Sequence, residues 1–270
     1  MAEEPVVENG GHVLDTNVPQ TARIWNYLLG GKDNFAADRA VGDQIIATLP
    51  HLAEHARLSR KYLARAVRYL AADGGIRQFL DIGTGLPTAD NTHEVAQAVA
   101  PQSRVVYVDN DPLVLTYARA LLTSSPEGAT DYIDADLRDP APILAAAANT
   151  LDLDRPVALM LMGTLGHIES DDEAKSIIDQ IMVALAPGSY LAMYDGADTN
   201  PDVVEATRIW NLSANPRYHL RSPERIAGLF KGLELIEPGV VSVTRWKPDA
   251  EAAAAPEIAQ YCAVGRKSQL

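Results

Sequence analysis

Residues Phe79-Leu80-Asp81-Ile82-Gly83-Thr84-Gly85-Leu86-Pro87 constrain this chain more than any other stretch. Phe79 to Ile82 reads as a short apolar strand that carries one acid, Asp81. Gly83 and Gly85 then supply a turn that can take positive φ and let a ligand approach the backbone. Asn91 suits a helix N-cap, with Glu94 three residues on to reach back to it. The predicted order is strand, glycine turn, helix: a nucleotide-binding βα unit. Asp81 at the strand's end can accept hydrogen bonds from the loop or from a ligand amine.

One crossover later comes Arg104-Val105-Val106-Tyr107-Val108-Asp109-Asn110-Asp111-Pro112. Asp109 ends a second predicted strand, the place where a carboxylate takes the two hydroxyls of a ribose. The third glycine of a dinucleotide fingerprint is missing, and Pro87 stands near its place. A pyrophosphate needs free backbone N–H groups at a helix start, and proline has none. This disfavours NAD and FAD. S-adenosylmethionine carries a ribose and an adenine but no phosphate, so it does not need that anion site.

A chain of 270 residues suits one large domain, or one domain with a small cap. With 47% hydrophobic residues it can bury a sizeable core. A formal charge of −13 argues against a nucleic-acid partner, which needs Lys and Arg on phosphates. Cys262 is the single cysteine, so no internal disulfide or thiolate-rich metal site is expected, and a reducing cytoplasm is. No apolar run reaches the roughly 18 residues of a membrane span. The acidic start, Met1 to Pro5, lacks the basic region of a signal peptide.

Residues 1 to about 16 are polar and expected to be loose. Helices are predicted over residues 20–29, 37–49 and 52–70, giving an all-helical leader of about 75 residues that packs on the sheet or across the ligand cleft. The Arg and Lys residues from Arg57 to Arg68 read as a solvated face. From Gln78 strands and helices alternate. Pro156 to Gly163 is a continuous apolar run, the pattern of a strand buried on both faces. Asn200-Pro201 and Ser222-Pro223 open two further helices. Residues 233–236, 240–246 and 258–264 read as strands, the last two joined by a loose loop over 247–257. They predict an antiparallel edge on a mostly parallel sheet.

In order, Asp81 to Gly85, Val106 to Asp109, Asp134-Ala135-Asp136 and Leu185-Ala186-Pro187-Gly188 resemble the motifs of class I S-adenosylmethionine-dependent methyltransferases. More narrowly, Tyr27-Leu28-Leu29-Gly30-Gly31-Lys32-Asp33-Asn34-Phe35, with Asp81 to Thr88 and Asn91 to Glu94, resembles an actinobacterial domain-of-unknown-function family of presumed methyltransferases. The resemblance covers nearly the whole chain. It implies a Rossmann-like α/β fold: a mostly parallel seven-stranded sheet, an antiparallel last strand, a helical cap over residues 1–75 and a cofactor domain over 76–270. It implies that Gly83 and Gly85 lie under the methionine of S-adenosylmethionine and that Asp81 binds its ammonium. Asp109 then takes the ribose, with Asn110 beside the adenine. Asp136 accepts from the adenine amine, and the Leu137 N–H serves a ring nitrogen. Asp134 is the rival of Asp136.

Substrate-side candidates are Tyr27, on a lid that also holds Asn34 and Phe35, then His167 after the fourth strand of the alternating region and Tyr194 at the end of the fifth. Arg217, His219 and Arg221 face either an anionic substrate or solvent. The cluster Asp195, Asp198, Asn200 lacks a carboxylate partner on the preceding strand, so no metal is expected. The expected activity is methyl transfer from S-adenosylmethionine to a small molecule. An activated methyl group needs alignment more than a catalytic triad, so no catalytic residue is named. The alternatives are a non-catalytic S-adenosylmethionine-binding regulator and, more remotely, an NAD-dependent oxidoreductase. The acceptor and the oligomeric state stay open.

Overall fold

Near-continuous apolar runs give each central strand two buried faces, and that pattern dictates a sheet with helices on both sides. In the computed structural model, which describes residues 6–7, 13–214 and 216–268, this is the arrangement found. Strands β1 (Val6–Val7) and β2 (Val13–Leu14) pair antiparallel, within the stretch expected to be loose. The rest of residues 1–12 lies outside the described residues. Helices α1 (Thr21–Leu28), α2 (Ala36–Thr48) and α3 (Leu52–Ala72) follow. The alternating region comprises β3 (Gln78–Ile82), α4 (Thr92–Val99), β4 (Arg104–Asp109), α5 (Pro112–Leu121), β5 (Ala129–Asp134), α6 (Pro140–Ala147), β6 (Ala158–Met162), α7 (Asp171–Ala184) and β7 (Tyr190–Gly196). The chain ends with α8 (Pro201–Ser213), α9 (Pro223–Leu229), β8 (Glu234–Leu235), β9 (Val241–Ser242), α10 (Ala250–Ala254) and β10 (Gln260–Arg266).

The large sheet has the order β5-β4-β3-β6-β7-β10-β8, with β9 also on β10. Strands β3 to β7 are mutually parallel, and β10 runs antiparallel to β7, β8 and β9. The chain leaves β3 toward β4 and β5, then crosses back to β6 on the other side of β3. That reversal opens a crevice beyond the carboxyl ends of the strands, where α/β sheets bind ligands. One face of the sheet presents Leu80, Val106 and Leu159 to α6, α7 and α9. The other presents Phe79, Val105 and Met160 to α3 and α4. A third cluster joins α1, α2 and α8.

The sheet counts eight strands rather than the seven expected, because the antiparallel edge is split. Pro238 has no N–H to give a ladder, and Gly239 turns at φ 83° between the two short pieces. The strand expected over 240–246 stops at Ser242. Beyond it Val243 and Trp246 are fully buried, and Trp246 meets Tyr62 and Tyr69 edge-on at 5.7 and 5.5 Å. The loop expected over 247–257 contains α10. Asp249 caps it by accepting the Ala252 N–H at 2.8 Å, and the alanine run has the highest helix propensity.

Candidate functional site

The βα turn after β3 is built as its sequence demands. Gly83 has φ 74° and Gly85 φ 67°. A Cβ on Gly83 would come within 2.4 Å of the Thr164 hydroxyl oxygen, so this glycine also lets the turn meet the loop after β6. The Gly83 N–H donates to the Val108 carbonyl at 2.8 Å, tying the turn to β4. Glu94 reaches back to accept the Asn91 N–H at 2.8 Å, which fixes the start of α4. Pro87 sits between these two anchors.

Two acids stand under the turn. Asp109 accepts the Gly85 N–H on Oδ2 and the Asp111 N–H on Oδ1, both at 2.9 Å. Asp81 accepts the Thr92 hydroxyl on Oδ2 at 2.6 Å. Burial pushes each carboxyl up to about 6. The Arg60 guanidinium opposes the shift at Asp81.

Beside them opens a cavity of about 270 Å³ along the carboxyl ends of the strands. Its lining brings together Asp81, Gly83, Gly85, Asp109, Asn110, Asp136, Leu137, His167 and Tyr194. Tyr27 is not among the lining residues. Its hydroxyl donates instead to Asp43 at 2.6 Å. The helix period explains this correction: Ala22, Trp25, Asn26 and Leu29 share the face of α1 that lines the cavity, and residue 27 points elsewhere. Asn34 and Phe35 stay out of the lining too. Asn34 donates to Asn26 Oδ1 at 2.9 Å, and Phe35 packs near Leu86 and lies 5.3 Å from the Arg23 guanidinium.

Of the rival acids, Asp136 lines the cavity, where it pairs with Arg138 at 3.2 Å, and Asp134 does not. Tyr194 is 4% exposed, and burial raises its phenol well above the ordinary range. Arg221 faces neither substrate nor solvent. It is fully buried, donating to Asp171 at 2.8 Å and to the Leu165 and Ile168 carbonyls. Asp195 accepts the Tyr218 hydroxyl and the Gly166 N–H, and Asn200 caps α8. Among the described residues no group of His, Cys, Asp and Glu is arranged to hold a metal ion. No helix among them is long and apolar enough to cross a membrane.

Several lining residues escaped the sequence reading: Arg60, Trp25, His55, Trp210, Tyr218 and Gln260. The spacing of residues 22, 25, 26 and 29 on α1 was the available signal for Trp25. Nothing local marked Arg60, which leaves the supposed solvated face to donate to the Ala89 and Asp90 carbonyls, both at 3.2 Å. Arg65 leaves that face as well, buried against the Val243 and Trp246 carbonyls.

A sequence profile described as S-adenosyl methyltransferase matches residues 8–268. The crystal structure of a DUF574 family protein from Streptomyces avermitilis is 46% identical, with a TM-score of 0.90, and the match covers 94% of this chain and 99% of that one. A Thermobifida fusca protein, provisionally classed as a methyltransferase, is 44% identical with a TM-score of 0.86, over 94% and 97% of the two chains. The magnesium protoporphyrin IX methyltransferase of Synechocystis, solved with bound SAH, shares the fold at 13% identity and a TM-score of 0.54, over 91% and 93%. No curated protein matches the sequence. With its glycine turn, paired acids and near-full-length match, the chain belongs to the S-adenosyl methyltransferase family.

Proposed function

We propose that this chain transfers the methyl group of S-adenosylmethionine to a small-molecule acceptor. The observation that supports the reading best is the pair of buried carboxylates at the ends of adjacent parallel strands, both lining the cavity beside Gly83 and Gly85. When bound, S-adenosylmethionine supplies a methyl group already activated on a sulfonium. The chain's own task is then to align an acceptor and exclude water.

Asp81 has Oδ2 engaged by Thr92, which leaves Oδ1 for the methionine ammonium. Arg60, whose charge acts on Asp81, is placed to meet the methionine carboxylate. Asp109 is held by two backbone N–H groups and keeps lone pairs for ribose hydroxyls. Asn110, Asp136 and Leu137 flank the adenine position. His167 and Tyr194 stand on the acceptor side. Within the expected cap over residues 1–75, helices α1, α2 and α3 contribute walls to this cavity, and the cofactor domain is the part expected over 76–270.

Calorimetry tests the reading. S-adenosylhomocysteine, the demethylated cofactor, is expected to bind and NAD is not. Asp109→Ala is expected to weaken that binding by about 1–3 kcal/mol, the cost of stranding paired polar groups. Unchanged affinity in the variant removes the ribose assignment. Binding of NAD alone removes the methyltransferase reading.

A further inference from the structure

Past Arg60 the cavity changes character. Trp25, Leu49, Trp210 and Tyr218 line it there, and they belong to the apolar cluster that joins α1, α2 and α8. The charged lining residues beside His167 are Arg138, which donates to the His167 carbonyl at 3.1 Å, and Asp136, and these two pair with each other at 3.2 Å. The other titratable groups here are His55, His167, Tyr194 and Tyr218. Burial lowers both imidazoles from their ordinary range, so both are neutral at neutral pH. A charged ligand entering here would lose its hydration and would have to break the pair of Asp136 and Arg138 to gain a counter-ion.

His167 carries a defined tautomer. Its Nδ1 lies 2.8 Å from the Arg217 carbonyl oxygen, which can only accept. Nδ1 therefore holds the proton, and Nε2 is left as a lone-pair acceptor. The ring is held edge-on to Tyr218 at 5.1 Å. Among the described residues no hydrogen bond occupies Nε2. The chamber thus offers an oriented acceptor at His167 Nε2 between aromatic walls, which favour a flat ring in stacked or edge-on contact. The Gln260 side-chain oxygen is a second acceptor in the same cavity lining, without a partner among the described residues.

We infer that this end of the cavity binds an uncharged ring compound bearing a hydroxyl, of the phenol class, with its O–H donating to His167 Nε2. A carboxylic acid or an aliphatic amine would arrive charged at neutral pH, whereas a phenol arrives neutral and brings the donor that Nε2 lacks. The consequence, methylation at oxygen, rests on the methyltransferase reading. The O–CH₃ bond forms as the S–CH₃ bond breaks with its electron pair kept by sulfur. The hydroxyl proton passes to Nε2 and from there to water.

Calorimetry with 2-naphthol, 2-naphthoate and 2-naphthylmethylammonium at neutral pH, with and without S-adenosylhomocysteine, tests the inference. The naphthol is expected to bind at least about tenfold more tightly than either ion. His167→Phe, which keeps a flat ring but removes the acceptor, is expected to lose about tenfold in naphthol affinity. His167→Gln, whose amide oxygen still accepts, is expected to recover part of it. S-adenosylhomocysteine affinity is expected to stay unchanged in both variants. Equal or tighter binding of either ion, absence of naphthol binding, or naphthol affinity indifferent to His167→Phe overturns the inference. The charge series uses the unaltered protein, so it decides the matter independently of how the variants fold. S-adenosylhomocysteine binding without naphthol binding removes the phenol inference and leaves the methyltransferase reading. The reverse result removes the reading and leaves the subsite.

Discussion

Asp81 and Asp195 meet the same physical cost, loss of water around a carboxylate, yet face different partners. Burial raises each to about 6 from an ordinary 3.8. A ligand ammonium beside Asp81 favours the ionised form. Binding is therefore expected to release a proton wherever the free protein still carries one, below about 6, and affinity is expected to fall as pH drops through that value. Calorimetry at about pH 5.5 in two buffers of different ionisation enthalpy measures the proton. Asp81→Asn is expected to abolish it, and a proton count unchanged by that substitution removes the ammonium assignment. Asp195 lies beneath Tyr218 and 3.8 Å from Arg221, outside the cavity lining. Its pKa is raised in the folded state, so its stabilising contribution is full below 3.8 and lost as pH rises through about 6. Asp195→Asn lacks that loss. Its stability relative to the parent is expected to improve by up to about 3 kcal/mol between acid and neutral pH. Urea midpoints on both sides of the window give the difference, and a pH-independent difference contradicts the account.

The long helix α3 carries more of the architecture than its sequence announced. Its Tyr62 is fully buried, with its hydroxyl 3.0 Å from the Ala263 carbonyl and 3.3 Å from that of Met193. Tyr62→Phe removes this donor and is expected to cost about 1 kcal/mol, read from denaturant midpoints. No change would mean that these carbonyls are served elsewhere. The predicted helix over 52–70 emerged as Leu52–Ala72, because its apolar residues recur at helical spacing and glycines follow it. The buried roles of Tyr62 and Arg65 could not be read the same way. The carbonyls they meet come from β7, β10 and the turn after β9, far along the chain. The same contrast holds for the site. Asp81, Gly83, Gly85 and Asp109 follow from local strand, turn and crossover logic. Trp210 and Tyr218 reach the cavity because α8 and the segment after it fold back onto α1 and α2, and His55 reaches it from the first turn of α3. Tyr27 belongs to a distinctive motif, but the helix face that lines the cavity is the one shared by residues 22, 25, 26 and 29.

At the scale of the molecule, α3 shares one apolar core with the sheet through Val67, Leu70, Phe79 and Val105. A cap joined to the sheet in this way is expected to unfold with it. Circular dichroism and tryptophan fluorescence should therefore trace coincident transitions. Two separated transitions would mark residues 1–75 as an independent unit. The walls of the cavity come from two distinct parts of the chain. The end proposed for the methyl donor is made by turns at the tips of β3, β4 and β5, and the far end by α1, α2 and α8. A lineage can therefore retune what it modifies by drifting in its outer helices while its methyl source stays untouched. Homologues with near-identical glycine turns and divergent outer helices would then be enzymes sharing one reagent and serving different metabolites.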